Sequence, residues 1–541
     1  MPLGSLPRQR LHGITLTAVM AWLLAWAGMW PFDMAPSFEF LGIQRHAAVP
    51  WLQVICLALL IRQLFAQTTR RQAVFQSWWM GANWLAATTW WLTHSMTVYG
   101  GLSHFLAGVA VFALAAALAV YFAVTLGYLA WHICAPHRAT SPVTKATAIT
   151  AGWVLAEWLR AKWFTGFPWG ELGYAHIDAW GWLAPMIGVS GVTALVVFAT
   201  AWVIAAWPFP DKFAARLKRR TILIRMAVVA VLIIGLPESL RVSPVVWTQP
   251  AGTQSVALLQ GNVDQSAKFS TGAADAVRWY VDALQSSQAD LRIVPETAIP
   301  MIPEAVPKTV WNDLVVASRT PAATLIGIPV QIGATRFQNE AWAITPNSQP
   351  SLHGVAQYRY AKHHLVPFGE LSPPGFRWFT RQMAIPLSDF SPGNLLQPHF
   401  DWGRQILAIT ICYEDVFGDE LAQRMFAQQM SPTAWVNMSN LAWFGDTTAI
   451  PSHALMARWR AIELGRPMLR ATNTGTTAVI DHRGVVVAAL PQDVSGVLTS
   501  PYEGRTGLTP YVAWAGRWGH TPLWVLSLLI LVFLRVRQDR V

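Results

Sequence analysis

Long apolar runs dominate the first half of the chain and return once near its end. Each run approaches the roughly 20 residues that a helix needs to cross a bilayer. We predict membrane spans at Thr15–Trp30, Val49–Leu64, Trp78–Met96, Phe105–Trp131, Ala146–Trp163, Trp180–Trp207, Ile222–Leu240 and Pro522–Leu534. The pattern therefore predicts an α-helical membrane domain of eight transmembrane helices, seven before a long polar insert and one after it.

The polar insert has a different periodicity. Short apolar runs alternate with amphipathic stretches, which indicates strands separated by helices and hence an α/β domain. The predicted strands are Ser255–Gly261, Leu291–Ile299, Thr324–Val330, Ala341–Thr345, Tyr358–His364, Ile406–Ile411, Thr433–Asn440 and Thr476–Asp481. The predicted helices are Ala273–Gln285, Val306–Ser318, Gly418–Gln429 and Pro451–Leu464. We divide the chain into a membrane domain at 1–242, an α/β domain at 243–505, and a final helix with its tail at 506–541.

The charge distribution favours membrane insertion and suggests an orientation. Charged residues form 12% of the chain and hydrophobic residues 53%, whereas soluble proteins carry about a quarter charged residues. The net charge of +11 comes largely from short loops between the apolar runs, so nucleic-acid binding is not expected. Under the positive-inside rule these loops place both termini in the cytoplasm and Ser243–Glu503 outside. The first span lacks a convincing small-residue cleavage site, and we interpret it as an uncleaved anchor.

A buried strand is predicted at Ile406–Ile411, and it ends on Cys412, which Tyr413 and Glu414 follow. An uninterrupted apolar run indicates a strand that is covered on both faces. Cys412 is the only cysteine after Ser243, so neither a disulfide nor a paired-cysteine metal site is expected within this region. A thiol held at the end of a rigid strand is well placed to act as a nucleophile. The alternative is a small buried hydrophobic residue.

Two other polar residues, Glu296 and Lys362, follow apolar strands in the same region. In open α/β sheets, functional groups collect at the carboxyl ends of strands. A carboxylate can take the thiol proton and return it to a leaving group, while a lysine favours both a thiolate and an oxyanion. Taken singly, each residue is an ordinary strand-end carboxylate or a solvated lysine. Together with Cys412 they predict covalent catalysis by the thiol.

These residues and their neighbours resemble the nitrilase superfamily, with its Glu-Lys-Cys triad. Over nearly the whole chain they resemble the bacterial apolipoprotein N-acyltransferase family. The matching segments are Gln260–Gln265, Pro295–Pro300, Lys362–Glu370, Cys412–Glu414, Asn437–Gly445, Ala457–Asn473 and Gly507–Tyr511. The resemblance implies a nitrilase-type αββα sandwich on the periplasmic face of the bacterial cytoplasmic membrane.

The resemblance also implies an activity. A fatty acyl chain would pass from a phospholipid, through a Cys412 thioester, to the α-amino group of the S-diacylglyceryl-cysteine at a lipoprotein N-terminus. This is a ping-pong reaction and the last step of lipoprotein maturation. The residues carried over are the nucleophile Cys412, the general base Glu296, the oxyanion stabiliser Lys362 and the supporting residues Glu370, Tyr413 and Glu414. The implied partners are phospholipid, diacylated apolipoprotein and the bilayer, and no cofactor or metal is expected.

Some aromatic residues near these motifs are expected to face lipid, namely Phe269, Trp378, Phe379 and Trp443. Trp378 and Phe379 belong to the apolar segment Phe368–Phe390, which either dips into the membrane as a lid or packs on the domain. Phe269 stands where the family commonly has Trp, so an aromatic wall is kept. Leu441 stands where Asp is usual, which removes a polar group near the expected site and can reduce activity.

Two other functions stay open from the residues alone. A membrane-anchored amidase or nitrilase-type hydrolase would use the same triad with water as the acceptor. A non-enzymatic scaffold of a transfer or envelope complex would not need the triad, which is intact. Plasmid-encoded relatives linked to conjugal transfer also carry the nitrilase-type domain, so the resemblance leaves the subfamily open.

Overall fold

The computed structural model describes residues 8–34, 36–206, 246–268, 272–319, 322–334, 336–349, 355–373, 375–377 and 390–539. These residues fall into two compact units. The helical unit contains the described residues of Met1–Thr93, Ser103–Val245 and His520–Val541. The α/β unit contains those of His94–Leu102 and Val246–Gly519.

Hydroxyl side chains fix the starts of several helices in the helical unit. The Thr69 hydroxyl accepts a hydrogen bond from Gln72 N at 3.3 Å, and Gln72 Oε1 accepts one from Thr69 N at 3.2 Å, which makes a capping box. Ser103 and Ser141 cap later helices with their hydroxyls. The described α-helices are Arg8–Gly28, Pro50–Phe65, Arg70–Thr88, His104–Phe122, Trp131–Cys134, Pro142–Lys162, Ile177–Trp180, Ala184–Ala206 and Thr521–Asp539, with Leu92–Val98 running on into the α/β unit. A π-helical stretch, Ala123–Ala130, joins His104–Phe122 to Trp131–Cys134.

Helices occur at every predicted span that the structure describes, whereas the predicted span Ile222–Leu240 lies outside the described residues. Within the described ranges, three helical segments are both long and apolar enough to cross a membrane, namely His104–Cys134, Leu172–Ala206 and Thr521–Gln538. The predicted span Trp78–Met96 is wrong as a single helix. One helix ends at Thr88 and a short one begins at Leu92. The prediction missed this interruption because a continuous apolar run does not reveal a break in the helical backbone.

In the described part of the α/β unit, the strands form two six-stranded sheets. The strands are β1 (Gln249–Gln260), β2 (Leu291–Ile293), β3 (Ala323–Gln331), β4 (Phe337–Ile344), β5 (Tyr358–Ala361), β6 (Phe400–Trp402), β7 (Gln405–Ile411), β8 (Ala434–Ser439), β9 (Met468–Thr472), β10 (Ala478–Ile480), β11 (Val486–Ala489) and β12 (Gly496–Thr506). The first sheet has the order β12-β1-β2-β3-β4-β5 and the second β11-β10-β9-β8-β7-β6. The central strands β1-β2-β3 and β7-β8-β9 are parallel, and the flanking pairs are antiparallel.

The alternation of side chains along each strand explains why the central strands are apolar throughout. On β7, Leu407 and Ile409 face a buried layer between the sheets, whereas Ala408 packs against helices on the outside. The covering helices are Ala273–Ser286 and Lys308–Arg319 on the first sheet, and Gly418–Phe426, Ala449–Leu464 and Pro510–Trp518 on the second. Helices, two sheets and helices form four layers, which confirms the predicted two-sheet α/β sandwich.

Strand boundaries differ from the predicted ones where the candidate site is built. β2 ends at Ile293 and β5 at Ala361, so the predicted strand ends at Ile299 and His364 are wrong. Residues that follow these two strands therefore lie on loops, which can turn their side chains toward one another. The sequence pattern also misses β6, β9, β11 and β12; in β9, the buried Arg470 interrupts the apolar run.

Candidate active site

Polar residues at the ends of three buried strands come together in the α/β unit. Lys362 Nζ lies 3.1 Å from Glu296 Oε1 and 2.9 Å from the Glu370 carboxylate. Cys412 follows β7 directly, and its thiol interacts electrostatically with all three of these charges. Glu296, Lys362 and Cys412 are 6%, 1% and 9% exposed, so bulk water screens these charges little. Residues far apart in the sequence thus form one buried site, in which Glu370 also takes part.

The turn Cys412–Val416, here called the Cys412 turn, is a single 3-10 turn after β7. Cys412 itself has a φ of +53°, in the left-handed region that non-glycine residues rarely adopt. Such a conformation costs on the order of 1–3 kcal/mol and persists where the surroundings hold it. Asn437 Nδ2 donates to the Cys412 carbonyl at 3.0 Å and is one of the groups that hold it. The turn fixes the direction of the thiol.

Glu414 ties the Cys412 turn to the end of β5. Its Oε2 accepts a hydrogen bond from Ile411 N at 2.7 Å. Its Oε1 accepts from the Tyr360 hydroxyl at 2.7 Å and from His363 N at 2.7 Å. Because Lys362 lies between Tyr360 and His363, Glu414 contacts the residues on both sides of the lysine, a side-chain hydroxyl on one side and a main-chain amide on the other.

Two asparagines complete the surroundings of Glu296, and sequence reasoning assigned a role to neither. Asn339 Nδ2 donates to Glu296 Oε1 at 2.8 Å and to Glu370 Oε1 at 2.9 Å. Asn440 N donates to Glu296 Oε2 at 2.9 Å, and the same main-chain group bonds to the Cys412 thiol. Asn440 belongs to the matching segment Asn437–Gly445, but it contributes a backbone amide. A pattern of side chains in the sequence cannot show such a contribution.

Lys268 is another buried lysine at the site, and sequence reasoning did not assign it a role. Its Nζ donates to the main-chain carbonyl of Glu296 at 3.3 Å, and 2% of the residue is exposed. Burial lowers the pKa of Lys268 from 10.5 to about 8, although the charge of Glu296 acts in the opposite direction. The signal available in the sequence was its place directly before Phe269, a position where the family commonly has Trp.

The electrostatics favour a neutral thiol beside a charged lysine. Burial raises the pKa of the Cys412 thiol, the charge of Glu296 raises it further, and Lys362 offsets part of the rise. Burial acts to lower the pKa of Lys362, but the carboxylates of Glu296 and Glu370 outweigh it and raise the pKa above its usual value. The thiolate is the nucleophilic form of cysteine. Forming it here therefore requires a proton acceptor within the site.

Tyr413 packs beside the site through ring contacts. Its ring centroid lies 5.7 Å from that of His364 and 5.1 Å from that of Phe417, both edge-on. Tyr413 is buried, and its ring forms part of the wall of the site next to Cys412. Three of the residues predicted to face lipid, Phe269, Trp378 and Phe379, lie outside the described residues.

The fourth of these residues, Trp443, is partly buried in the loop that follows Asn440. Its ring centroid lies 5.2 Å from that of Tyr99, whose hydroxyl donates to the Ala442 carbonyl at 3.2 Å. Leu441 in the same loop is 2% exposed and belongs to the apolar layer between the sheets. Leu441 therefore contributes apolar packing at this position.

A two-sheet sandwich with a cysteine, a lysine and a glutamate joined at its strand ends defines a domain of the carbon–nitrogen hydrolase class. The family model described as Carbon-nitrogen hydrolase matches residues 255–510. The model described as Apolipoprotein N-acyltransferase N-terminal domain matches residues 19–202. The chain belongs to the apolipoprotein N-acyltransferase family.

Relatives match along nearly the whole chain. An apolipoprotein N-acyltransferase of Verminephrobacter eiseniae is 39% identical, over 92% of this chain and 94% of that protein. One of Ralstonia nicotianae is 37% identical, over 94% of both chains. Among solved structures, the chain is similar to an amidase from Nesterenkonia sp., with 18% identity and a TM-score of 0.36 over 49% of this chain and 94% of that one. The similarity to the acyltransferases spans both the helical unit and the α/β unit.

Proposed function

We propose that the protein is a phospholipid-dependent N-acyltransferase. It moves a fatty acyl chain, through a thioester on Cys412, to the α-amino group of the N-terminal S-diacylglyceryl-cysteine of lipoproteins. The observation that carries this proposal is the buried ion cluster of Lys362 with Glu296 and Glu370 beside the Cys412 thiol. The cluster supports covalent acyl chemistry, and the relatives, which bear the name apolipoprotein N-acyltransferase, supply the acceptor.

In the first half of the reaction, Cys412 attacks the carbonyl carbon of a phospholipid ester. Glu296 takes the thiol proton as the C–S bond forms, and Lys362 stabilises the negative charge that develops on the carbonyl oxygen. The C–O bond to the glycerol then breaks, and Glu296 returns the proton to the leaving oxygen. The products are a lysophospholipid and an acyl thioester on Cys412, with Glu296 ionised again.

In the second half, the α-amino group of the lipoprotein attacks the thioester carbonyl. Glu296 takes a proton from the attacking nitrogen while Lys362 again stabilises the oxyanion. The C–S bond breaks, an amide is formed, and the proton on Glu296 restores the Cys412 thiol. Because the site is buried, water competes poorly with the amine for the thioester.

The supporting residues act through the three that react. Glu370 pairs with Lys362 and, through Asn339, holds Glu296 in place. Glu414 fixes the main chain beside Cys412 and beside Lys362. The buried ring of Tyr413 forms part of the wall of the site. These contacts keep the reacting groups at fixed distances, which is the main structural requirement for proton transfer between them.

The membrane arrangement belongs to the same proposal. We infer eight transmembrane helices, a membrane domain at 1–242, a catalytic domain at 243–505 and a last span within 506–541. The catalytic domain lies in the periplasm of a bacterial inner membrane and both termini in the cytoplasm. The placement of basic residues in alternate loops supports this orientation. Phospholipid and the diacylated lipoprotein then both reach the site from the bilayer, where Phe269, Trp378, Phe379 and Trp443 are expected to contact their acyl chains.

The test is a reconstituted reaction. Purified protein in vesicles of defined phospholipid is given a synthetic diacylated lipopeptide with a free α-amino group, and the products are separated by mass spectrometry. We expect lysophospholipid and triacylated lipopeptide in equal amounts. A matched lipopeptide with an acetylated N-terminus is the control acceptor and should stay unchanged. Free fatty acid formed at the same rate with and without acceptor would instead identify a hydrolase.

Lys268→Met is expected to raise stability and lower activity. Below pH 8 the folded chain holds a buried ammonium group; between pH 8 and 10.5 the unfolded chain binds a proton that the folded chain has released, so stability rises with pH there. Methionine removes the charge and the hydrogen bond to Glu296 O. We expect a melting temperature a few degrees higher at pH 7 and roughly tenfold slower acyl transfer.

Thermal unfolding between pH 7 and 10.5 and the reconstituted assay measure these effects. Lys308→Met is the matched control, because Lys308 is exposed and its replacement should move neither quantity. A Lys268→Met protein with wild-type activity would show that the bond to the Glu296 carbonyl has no part in placing that carboxylate.

A further inference from the structure

A fully buried ionic cluster adjoins the Cys412 turn and has no part in the steps proposed above. Asp415 Oδ2 lies 2.8 Å from Arg470 Nη1, and Asp415 Oδ1 lies 2.7 Å from His453 Nε2. Arg470 Nη2 lies 3.0 Å from His453 Nδ1. The three residues come from the Cys412 turn, from β9 and from the helix Ala449–Leu464, so the cluster joins three elements of the fold.

The charge of this cluster follows from which of its atoms donate hydrogen bonds and which accept them. A guanidinium group has only donors, so His453 Nδ1 must accept the bond from Arg470. The ring of His453 is then neutral, with its proton on Nε2, the atom that faces Asp415. The cluster therefore holds one positive charge, on Arg470, and one negative charge, on Asp415.

The cluster reaches the main chain of Cys412 by two routes. Arg470 Nη1 lies 3.5 Å from Asn437 Oδ1, and Asn437 Nδ2 donates to the Cys412 carbonyl at 3.0 Å. Asp415 belongs to the Cys412 turn itself. Both routes end on the segment whose first residue has the strained φ of +53°.

Stability alone explains this arrangement poorly. A buried ion pair often contributes no more than a well-packed apolar replacement of similar volume. A strained backbone, by contrast, needs surroundings that over-determine it. The attachment of the cluster to the main chain of Cys412 meets that need.

We propose that Arg470 and Asp415 are positioning residues for the nucleophile. Arg470 holds the Cys412 carbonyl through Asn437 and supplies a buried positive charge that favours the thiolate, and Asp415 neutralises part of that charge. This inference rests on the proposed role of Cys412 as nucleophile and adds a second cation to Lys362.

Arg470 is close enough to Cys412 for a charge on the thiolate to act on the guanidinium. Burial lowers the pKa of Arg470, while the charges of Asp415 and of the Cys412 thiolate act in the opposite direction. The groups that shift the pKa of the Cys412 thiol are Glu296, Lys362, Glu370 and the Asn440 amide. None of these is altered in the variants below, so a change in thiol reactivity can be assigned to the cluster.

The test measures the rate of Cys412 alkylation by iodoacetamide at pH 8 in the full-length protein, followed by peptide mass spectrometry. Below the thiol pKa, this rate follows the thiolate fraction, reduced by the lower nucleophilicity of a less basic thiolate. We expect Asp415→Asn to react about three- to fivefold faster and Arg470→Gln about three- to fivefold slower, for a shift of about one pH unit in either direction. Arg470→Lys keeps the charge and should stay within about twofold of wild type.

If the cluster had a purely structural role, Asp415→Asn and Arg470→Gln would both loosen the Cys412 turn and change the alkylation rate in the same direction. That result would overturn the proposal, and so would two unchanged alkylation rates. Arg292→Gln is the matched control, because Arg292 is equally buried but donates to the carbonyls of Leu284 and Ala317. Asp415→Asn, which is isosteric, keeps the test valid if Arg470→Gln does not fold. Alkylation needs no acyl substrate, so failure here leaves wild-type acyl transfer as a separate result.

Discussion

Cys412→Ala is expected to abolish acyl transfer and to leave the protein folded. The thiol is the group that would carry the acyl chain between donor and acceptor, and no neighbouring hydroxyl or amine can form the same reactive thioester. We expect a fall in transfer rate of at least roughly 10⁴-fold. Alanine keeps Cβ and removes one sulfur atom, so the contacts of Asn437 and Glu414 to the main chain remain possible.

Intact-mass spectrometry after exposure to phospholipid measures this directly. Wild-type protein should gain the mass of one acyl chain, and the gain should reverse when the lipopeptide amine is added. Cys56→Ala and Cys134→Ala are matched controls, since both residues are free, buried cysteines of the helical unit. These two variants should acquire the adduct like wild type. An adduct that persists in Cys412→Ala would place the covalent step on another residue.

The sequence predicted much of this site because its chemistry sits at the ends of apolar strands. The uninterrupted run Ile406–Ile411 marked β7, and the cysteine at its end became a candidate nucleophile only together with Glu296 and Lys362. Glu296 and Lys362 were found in the same way, after β2 and β5. Functional groups at the carboxyl ends of strands were expected to collect at one end of the α/β domain. The pattern did not show that β2 and β5 lie in one sheet and β7 in the other, so that the site forms between two sheets. The predicted residues therefore came from a pattern that is local in the sequence.

The parts that the sequence did not show depend on contacts between distant segments. Asn339 lies on β4, and its amide bridges two glutamates from separate loops. Asn440 contributes a main-chain amide, which any residue except proline could supply. Lys268 and Arg470 are buried cations, whereas lysine and arginine residues usually lie on the protein surface. Their partners become visible only when the chain is folded.

Leu441 shows how a departure from the family can be explained by its neighbours. The family resemblance predicts an aspartate at this position, and a leucine there removes a polar group. The structure places the leucine in the apolar layer between the sheets, next to Ile450 and Gly475. An ionised carboxylate could not occupy that layer without a partner. The substitution is thus consistent with packing at this position.

Glu296→Gln is expected to slow acyl transfer while making Cys412 more reactive toward iodoacetamide. Glutamine cannot accept the thiol proton, and loss of a general base typically costs 10²–10⁴-fold in rate, so we expect a fall of about 10³-fold. The charge of Glu296 raises the pKa of the Cys412 thiol. Its removal lowers that pKa, increases the thiolate fraction at pH 8 and should speed alkylation about three- to fivefold.

The contacts of Glu296 explain why an isosteric change has so large an effect. One carboxylate oxygen accepts from Lys362 Nζ at 3.1 Å and from Asn339 Nδ2 at 2.8 Å, and the other accepts from Asn440 N at 2.9 Å. A glutamine amide has one oxygen and one donor group, so either orientation sets two donors against each other. The variant therefore loses both the proton acceptor and part of the geometry around it.

Measuring alkylation and acyl transfer on the same preparation separates two roles of Glu296. One role is to accept the thiol proton, and the other is to raise the thiol pKa through its negative charge. Glu370→Gln is the matched control: it also removes a negative charge that raises the thiol pKa, but it leaves the proposed base in place. It should speed alkylation in the same way and slow transfer far less than Glu296→Gln. Equal losses of transfer in the two variants would assign Glu296 an electrostatic role alone, and the proton would then have to leave the thiol by another route.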